Sequence, residues 1–280
     1  MKRRAFAKVN LTLDIIGKRD DGYHDLSMVM APLQLHDLLS MEVAPEYSLV
    51  TNAKSLGKKE TNSVYQAIEE LRKRYGFQEN FKVELQKYIP SQAGLGGGSS
   101  DAAAAIILVD QLLGLNMTKE QIEETAEAVG KDVPFCLYGK TALIEGTGEK
   151  MTIIENNCDL RLLLIKPQQG ISTRQAYGNL QDFTIKHHDA QGMIAALAQG
   201  DYQGVIKNLG NGFEEVAVVM LPVIGKIKKE MTDFGFDGTL LCGSGSCVFG
   251  VSRDEQLLQA ALKHFRKSYP FVWMTSIARD

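Results

Sequence analysis

The chain has 280 residues, with 31 Lys plus Arg against 34 Asp plus Glu and a formal net charge of −3 at pH 7. That balance excludes the basic surface by which a protein holds nucleic acid, while 44% hydrophobic and 23% charged residues exclude disorder and predict a core in one large domain or two medium ones. The longest apolar run, Ala102 to Val109, falls far short of the roughly 20 residues of a membrane span, so no membrane partner is expected.

In chain order, the basic start Met1-Lys-Arg-Arg4 is followed by Lys8, Asn10 and Asp14 where a signal peptide would be apolar, which predicts a cytoplasmic protein. The alternating run Phe6 to Ile16 predicts a strand, Lys18 to Gly22 a turn, and Leu26 to Val43 a second strand region. A helix is expected over Ser63–Tyr75, capped by Asn62 and stopped by Gly76. Phe81–Gln86 alternates as a strand that Pro90 ends. A glycine-rich loop then leads into an alanine-rich helix reaching Leu113, apolar all round and therefore expected at the centre of the molecule. Thr118 to Gln121 reads as a capping box for a helix to Val129.

The second half predicts strands at Thr141–Glu145, Lys150–Ile154 and Leu160–Ile165, then helices near Thr173–Gly178, Ala190–Leu197 and Pro222–Phe234. Strands Thr239–Leu241 and Cys247–Val251, a helix Glu255–Arg266 and a strand Phe271–Ser276 follow. This order suggests an α+β half on an antiparallel sheet, and the expected domains are 1–154 and 155–280. Cys136, Cys158, Cys242 and Cys247 show neither a CxxC pair nor zinc-ligand spacing and read as packing residues. His187-His188 lies among polar residues and predicts a solvated loop. Asp233-Phe-Gly235 reads as a helix end with its glycine stop, since no His-Arg-Asp tripeptide accompanies it.

The chemistry concentrates in Pro90-Ser-Gln-Ala-Gly-Leu-Gly-Gly-Gly-Ser-Ser-Asp101. Gly94, Gly96, Gly97 and Gly98 let several backbone N–H groups turn to one side, and the helix that follows adds its own unpaired amides. The result is an anion cradle suited to phosphate. It lacks the Gly-Lys-Ser/Thr of a P-loop and the third glycine of a dinucleotide fingerprint. A flexible linker is disfavoured by the apolar helix that follows at once.

The segment Pro90 to Ser100 resembles the phosphate loop of the GHMP small-molecule kinases, and Ala7-Lys-Val-Asn-Leu11 and Gly243-Ser-Gly-Ser-Cys247 resemble the family's other two motifs, in the same order. Gly22-Tyr-His24, the triple glycine before Ser99-Ser100, Gly130-Lys-Asp-Val-Pro134 and Gly146-Thr-Gly-Glu149 are similar to the branch acting on a cytidine-diphosphate-linked methylerythritol in the non-mevalonate isoprenoid pathway. The resemblance implies an α+β, GHMP-kinase-like two-domain fold. Its N-terminal α/β nucleotide domain would be ribosomal protein S5 domain 2-like, and its C-terminal domain ferredoxin-like α+β. It also implies ATP as co-substrate, Mg2+ arriving with ATP, and a small-molecule acceptor carrying a cytidine diphosphate group. Metal ligands stay unassigned, and the assembly would be a monomer or homodimer.

The resemblance makes Asp132 the base and Lys8 the cation beside it, with Lys8 and Asn10 sharing one strand face by the two-residue period. The residues alone equally allow Lys8 to reach solvent and Asp132 to cap a turn. By resemblance Asn10, Tyr23, His24 and Tyr177 bind the acceptor, His24 at the base edge and Tyr177 as a second aromatic that could also be a packed helix residue. Asn62, Lys87, Pro90, Gly94, Leu95, Gly96, Gly97, Gly98, Ser99 and Ser100 would form the ATP site, although Asn62 could be only a helix cap and Lys87 only a surface charge. The Gly243–Ser246 turn should approach either the phosphate loop or the substrate. Asp101 stands where many relatives carry Asn, and Leu241-Cys242 replaces a commoner small residue or Met. Other readings are a GHMP kinase for a different small alcohol, or a silent ligand-binding member of the fold.

Overall fold

Alternation of apolar and polar side chains gives the first two strands, and in the computed structural model they are long: β1 spans Lys2–Lys18 and β2 His24–Ala44. The structure describes residues 1–53, 58–180, 183 and 186–278. Packing divides the chain into two compact units that are interleaved in sequence. The first comprises residues 1–7, 35–89 and 96–139, the second 8–34, 90–95 and 140–280.

In the first unit, β4 (Asn80–Gln86) pairs antiparallel with Leu38–Ala44 of β2 and parallel with the short β3 (Ser48–Thr51). Four helices accompany this sheet: α1 (Ser63–Tyr75), α2 (Gly97–Leu113), α3 (Lys119–Val129) and α4 (Val133–Tyr138). Local chemistry sets their ends. Asn62 Oδ1 accepts from the Val64 and Tyr65 amides at 2.9 and 3.3 Å, and Gly76 closes α1 at φ +71°. Thr118 and Gln121 form the reciprocal capping box of α3. Most of α2 is buried from Ser100 to Val109, and its alanines let α1 and α4 approach closely. Ile68, Leu71, Phe81, Val83, Ile106 and Val133 share the resulting core, with Phe77 edge-on to Phe81 at 6.1 Å.

In the second unit, β5 (Ala142–Gly146) pairs with Leu26–Met30 of β2, β6 (Lys150–Ile153) with β5, and the two-residue β8 (Gly210–Asn211) runs parallel to Thr12–Leu13 of β1. A separate antiparallel sheet contains β7 (Arg161–Lys166), β9 (Gly238–Leu241), β10 (Val248–Val251) and β11 (Phe271–Ser276), in the order β11-β7-β10-β9. The first and third of these strands are central, the ferredoxin-like arrangement that the resemblance implied. Helices α5 (Thr173–Gly178), α6 (Ala190–Gln199), α7 (Tyr202–Asn208), α8 (Glu214–Met220), α9 (Val223–Phe234) and α10 (Glu255–Phe265) complete the unit. Gly235, at φ +108°, stops α9, so Asp233-Phe-Gly235 is the expected helix end.

The structure corrects one expectation. His187 is exposed and meets Asp14 at 3.0 Å, but His188 is half-buried and its Nε2 has no hydrogen-bond partner among the described residues. Its ring lies where a side chain on Gly210 would stand, so the pair is only partly solvated. Cys158, Cys242 and Cys247 are buried and Cys136 is half-buried, all four as free thiols. No helix among the described residues is long and apolar enough to cross a membrane.

Because Phe81 is fully buried in the core of the first unit, replacing it with Ala should cost about 3–5 kcal/mol. Urea unfolding would record this as a lower midpoint.

Candidate functional site

The glycine-rich loop runs through both units, and each part is supported by its own neighbours. In the first unit, Gly96 is the N-cap of α2 at φ +70° and supplies no side chain to accept from the first-turn amides. Those of Gly97, Gly98 and Ser99 therefore stay available to an anion, with Gly98 exposed and Gly97 and Ser99 half-buried. Ser100 stands apart. Its hydroxyl donates to the Phe6 carbonyl at 2.5 Å and its N–H to the Gly96 carbonyl at 2.9 Å.

Beneath this turn lies a buried ion group that sequence reasoning missed. Lys87, expected near the adenine or at the surface, has a nearly buried side chain and contacts both Asp37 and Asp101, the latter at 2.5 Å. Asp37 Oδ1 also accepts from the amides of Tyr88 and Ile89 at 2.5 and 2.8 Å, which ties the end of β4 to β2. Burial works against the Lys87 charge, but the two carboxylates outweigh it and hold its pKa above the usual lysine value. Burial pushes the Asp101 carboxyl up to about 7, with Lys87 opposing and Asp37 reinforcing the shift. One cation between two carboxylates leaves an excess negative charge in a site that solvates it poorly. The sequence signals were Asp37, flanked by Leu35, Leu38 and Leu39, and Asp101 at the end of the glycine-rich segment.

In the second unit, the loop residues Pro90–Leu95 pack on the hairpin turn between β9 and β10. Gly94 has φ +73°, and a Cβ there would overlap the Cys242 carbonyl and stand 3.1 Å from the Gly245 nitrogen. The Ser246 and Cys247 amides donate to the Gln92 and Ala93 carbonyls, each at 3.3 Å. Of the two readings of the Gly243–Ser246 turn, the loop contact is the one observed. Ser246 Oγ donates to the Gln169 carbonyl at 2.6 Å, and the buried Lys166 ammonium donates to the carbonyls of Pro167 and Gln169 at 3.0 and 3.3 Å.

Lys8 and Asn10 are buried side by side, Lys8 Nζ donating to Asn10 Oδ1 at 3.0 Å, so the shared strand face is observed and Lys8 does not reach solvent. The Lys8 N–H donates to the Leu95 carbonyl at 3.0 Å. Burial, then the hydrogen bond with Cys247, keeps the Cys242 thiol well above the ordinary cysteine pKa, with the nearby Lys8 charge opposing. Asp132 belongs to the first unit, at the N-cap position of α4, but its carboxylate makes no capping bond.

Three rings of the second unit, His24, Tyr177 and Phe213, make successive contacts. His24 and Tyr177 lie 5.1 Å apart at 35°, and Phe213 meets Tyr177 edge-on at 4.8 Å and 83°. Burial and then the Lys18 charge hold His24 below the usual histidine pKa, so the ring is neutral near pH 7 and offers one donor and one acceptor. Tyr23 is 59% exposed and its backbone closes the turn before β2. Sequence reasoning missed Phe213 and Asn211. Asn211 donates to the Leu241 and Gly243 carbonyls and accepts from the Phe213 N–H. The flanking glycines of Gly210-Asn-Gly212 were the available signal.

Among the described residues no three His, Cys, Asp or Glu side chains are grouped to hold an ion. Asp37 and Asp101 both face Lys87. The donor set therefore does not fit a metal centre built by the protein alone.

Two family models match the chain, GHMP kinases N terminal domain over residues 62–140 and GHMP kinases C terminal over 193–270. A 4-diphosphocytidyl-2-C-methyl-D-erythritol kinase of Caldanaerobacter subterraneus is 40% identical over 273 residues, covering 97% of this chain and 95% of the relative. One of Bacillus cytotoxicus is 38% identical over 250 residues, covering 89% and 86%. A crystal structure of 4-(cytidine 5'-diphospho)-2C-methyl-D-erythritol kinase superposes with TM-score 0.83 at 28% identity, covering all of both chains. A homoserine kinase from Cytophaga hutchinsonii, at 18% identity and TM-score 0.73 over 99% of this chain and 95% of its own, shares the fold.

The ion group makes a pH-dependent prediction. A carboxyl whose pKa is raised on folding, as Asp101's is to about 7 from 3.8, binds its proton more tightly in the folded state. Its stabilising contribution is present at acid pH and is lost as pH rises through about 7. Asp101→Asn should fold and flatten the thermal midpoint between pH 5 and 8 relative to the wild type. Parallel melting profiles would rule the assignment out.

Proposed function

The chain belongs to the GHMP kinase family, and on that footing we propose that it transfers the γ-phosphoryl group of ATP to the 2-hydroxyl of 4-diphosphocytidyl-2-C-methyl-D-erythritol, in the non-mevalonate route to isoprenoid precursors. The observation that carries this reading is the glycine-bounded, uncapped start of α2, which offers first-turn amides to a phosphate with no side chain competing for them. Similarity to kinases of that name over nearly the whole chain selects the acceptor. The proposed domains, 1–154 on the ATP side and 155–280 on the acceptor side, are a division of the sequence, and the two family models fall on either side of it.

Phosphoryl transfer requires alignment of donor and acceptor and neutralisation of the charge developing on the γ-phosphate. Gly94, Gly96, Gly97, Gly98 and Ser99 supply the cradle, with Pro90, Leu95 and Ser100 shaping it and Asn62 and Lys87 on the ATP side. Lys87 acts there through Asp101 of α2, since its ammonium is held by carboxylates. Asp132 takes the proton of the acceptor hydroxyl, whose oxygen bonds to the γ-phosphorus as ADP leaves. Lys8 supplies positive charge and Asn10 orients its ammonium. Magnesium would be carried on the nucleotide phosphates. His24 and Tyr177 hold the cytosine, neutral His24 bonding its edge, and exposed Tyr23 stacks or packs beside it. We place the enzyme in the cytoplasm as a monomer or homodimer.

ATP consumption should be measured with 4-diphosphocytidyl-2-C-methyl-D-erythritol beside mevalonate and homoserine. Turnover is expected with the cytidine compound alone; turnover with another acceptor alone would replace the substrate assignment. In the same assay Asp132→Ala should lower kcat by roughly 10²–10⁴. An unchanged kcat would remove Asp132 from the role of base.

A further inference from the structure

We propose that Phe213 and Asn211 are positioning residues of the acceptor site: Phe213 sets the ring plane of Tyr177, and Asn211 holds these rings in register with the Gly243 turn. The inference rests on the cytidine reading above and adds to it the residues that fix the distance between the base end and the reacting end of the acceptor.

Phe213 is 2% exposed and presents its ring at 83° to Tyr177, an edge-to-face contact that favours one orientation of the tyrosine. Tyr177 is half-buried and tilted toward His24, so a change in its plane changes the surface that the pair offers to a flat base. Phe213 cannot shift independently. Its N–H donates to Asn211 Oδ1 at 2.9 Å in an Asx turn. Asn211 is itself buried, on the β8 ladder beside Thr12 and Leu13 of β1.

Both hydrogens of the Asn211 amide are also committed, to the Leu241 carbonyl at 2.9 Å and the Gly243 carbonyl at 2.8 Å. Every polar atom of the side chain therefore has a partner, and rotating it would leave buried groups unpaired. At its other end the Gly243 turn is tightly seated. A Cβ on Gly243 would stand 3.0 Å from the Gly94 carbonyl oxygen and 3.4 Å from Lys8 Nζ. One amide thus ties the rings to the turn that packs against the phosphate loop and Lys8, all within the second unit. For a long acceptor held by its base at one end and reacting at the other, such a tie converts binding at the first end into alignment at the second.

Two substitutions separate the two functions. Phe213→Leu keeps the apolar volume but removes the ring edge. It should weaken CDP binding in calorimetry, and raise the acceptor KM, about 3- to 10-fold, with kcat and the ATP KM within twofold. Asn211→Asp keeps the acceptor for the Phe213 N–H but loses both donors. It should lower kcat at least about tenfold with CDP affinity within twofold. Asn211→Ser is the second variant should the buried charge prevent folding, and the same fall in kcat is expected of it. If the variants only lower the thermal midpoint, with kcat, KM and CDP affinity per folded molecule unchanged, the residues are merely structural and the proposal is overturned. A wild type that binds CDP and a Phe213→Leu protein that binds it equally well would overturn this inference alone. A wild type that binds no CDP would overturn the cytidine reading and this inference with it.

Discussion

No side chain can stand at residue 94, because the Cys242 carbonyl fills the space that a Cβ would need. This contact between two stretches of backbone underlies the rest of the second unit's site. It holds only if the loop residue is a glycine at positive φ and if the turn after β9 stays narrow enough to seat against it, a requirement met by Gly243 and Gly245, both at positive φ. Hydrogen bonds from Ser246 and Cys247 to the Gln92 and Ala93 carbonyls then lock the two segments together. An anion cradle made of flexible glycines would lose most of its value to conformational entropy on each binding event. Here that cost is met during folding, by a turn nearly 150 residues further along the chain.

The first unit solves the same problem by electrostatics. The start of α2 presents amides with no capping side chain, which leaves it dependent on what lies beneath. Lys87, Asp37 and Asp101 supply that support as a buried ion group. Such a group is costly to assemble and gives little net stability compared with an apolar cluster. What it supplies is geometry: Asp37 gathers the Tyr88 and Ile89 amides, and Lys87 bridges Asp37 to Asp101 on α2. The aspartate that departs from the commoner Asn is thus engaged with Lys87 inside the first unit. Lys87 opposes part of the charge it adds, and Asp37 beside it leaves the group with one carboxylate in excess.

Legibility in the sequence followed the range of the interaction. Asn62, Gly76 and the Thr118 capping box act within four residues, and the ends of α1 and α3 were readable to the residue. The Lys8–Asn10 pair is two residues apart and was readable from strand period alone. The Lys87 group was not, because its partners lie 50 and 14 residues away and nothing local distinguishes a buried lysine on a strand end from a solvated one. The short elements α4, α7, α8 and β8 were missed for a related reason. Six or seven residues carry little periodicity by which to separate a helix from a loop, α5 being the one of that length that was read, and a two-residue strand exists only through its partner.

Asn211 shows what such a short element can do. Its two-residue strand contributes little hydrogen bonding of its own, yet the parallel ladder to β1 places its side chain where one amide can serve two carbonyls and one N–H. Serine or threonine could not span those three partners, and Asp lacks the donors. Lys8, five residues before Leu13 on β1, is buried against the same turn. A single strand therefore carries the cation at one point and fixes the Asn211 ladder at another. The spacing between Lys8 and the Asn211 ladder is then set by backbone rise along β1, which side-chain motion alters little.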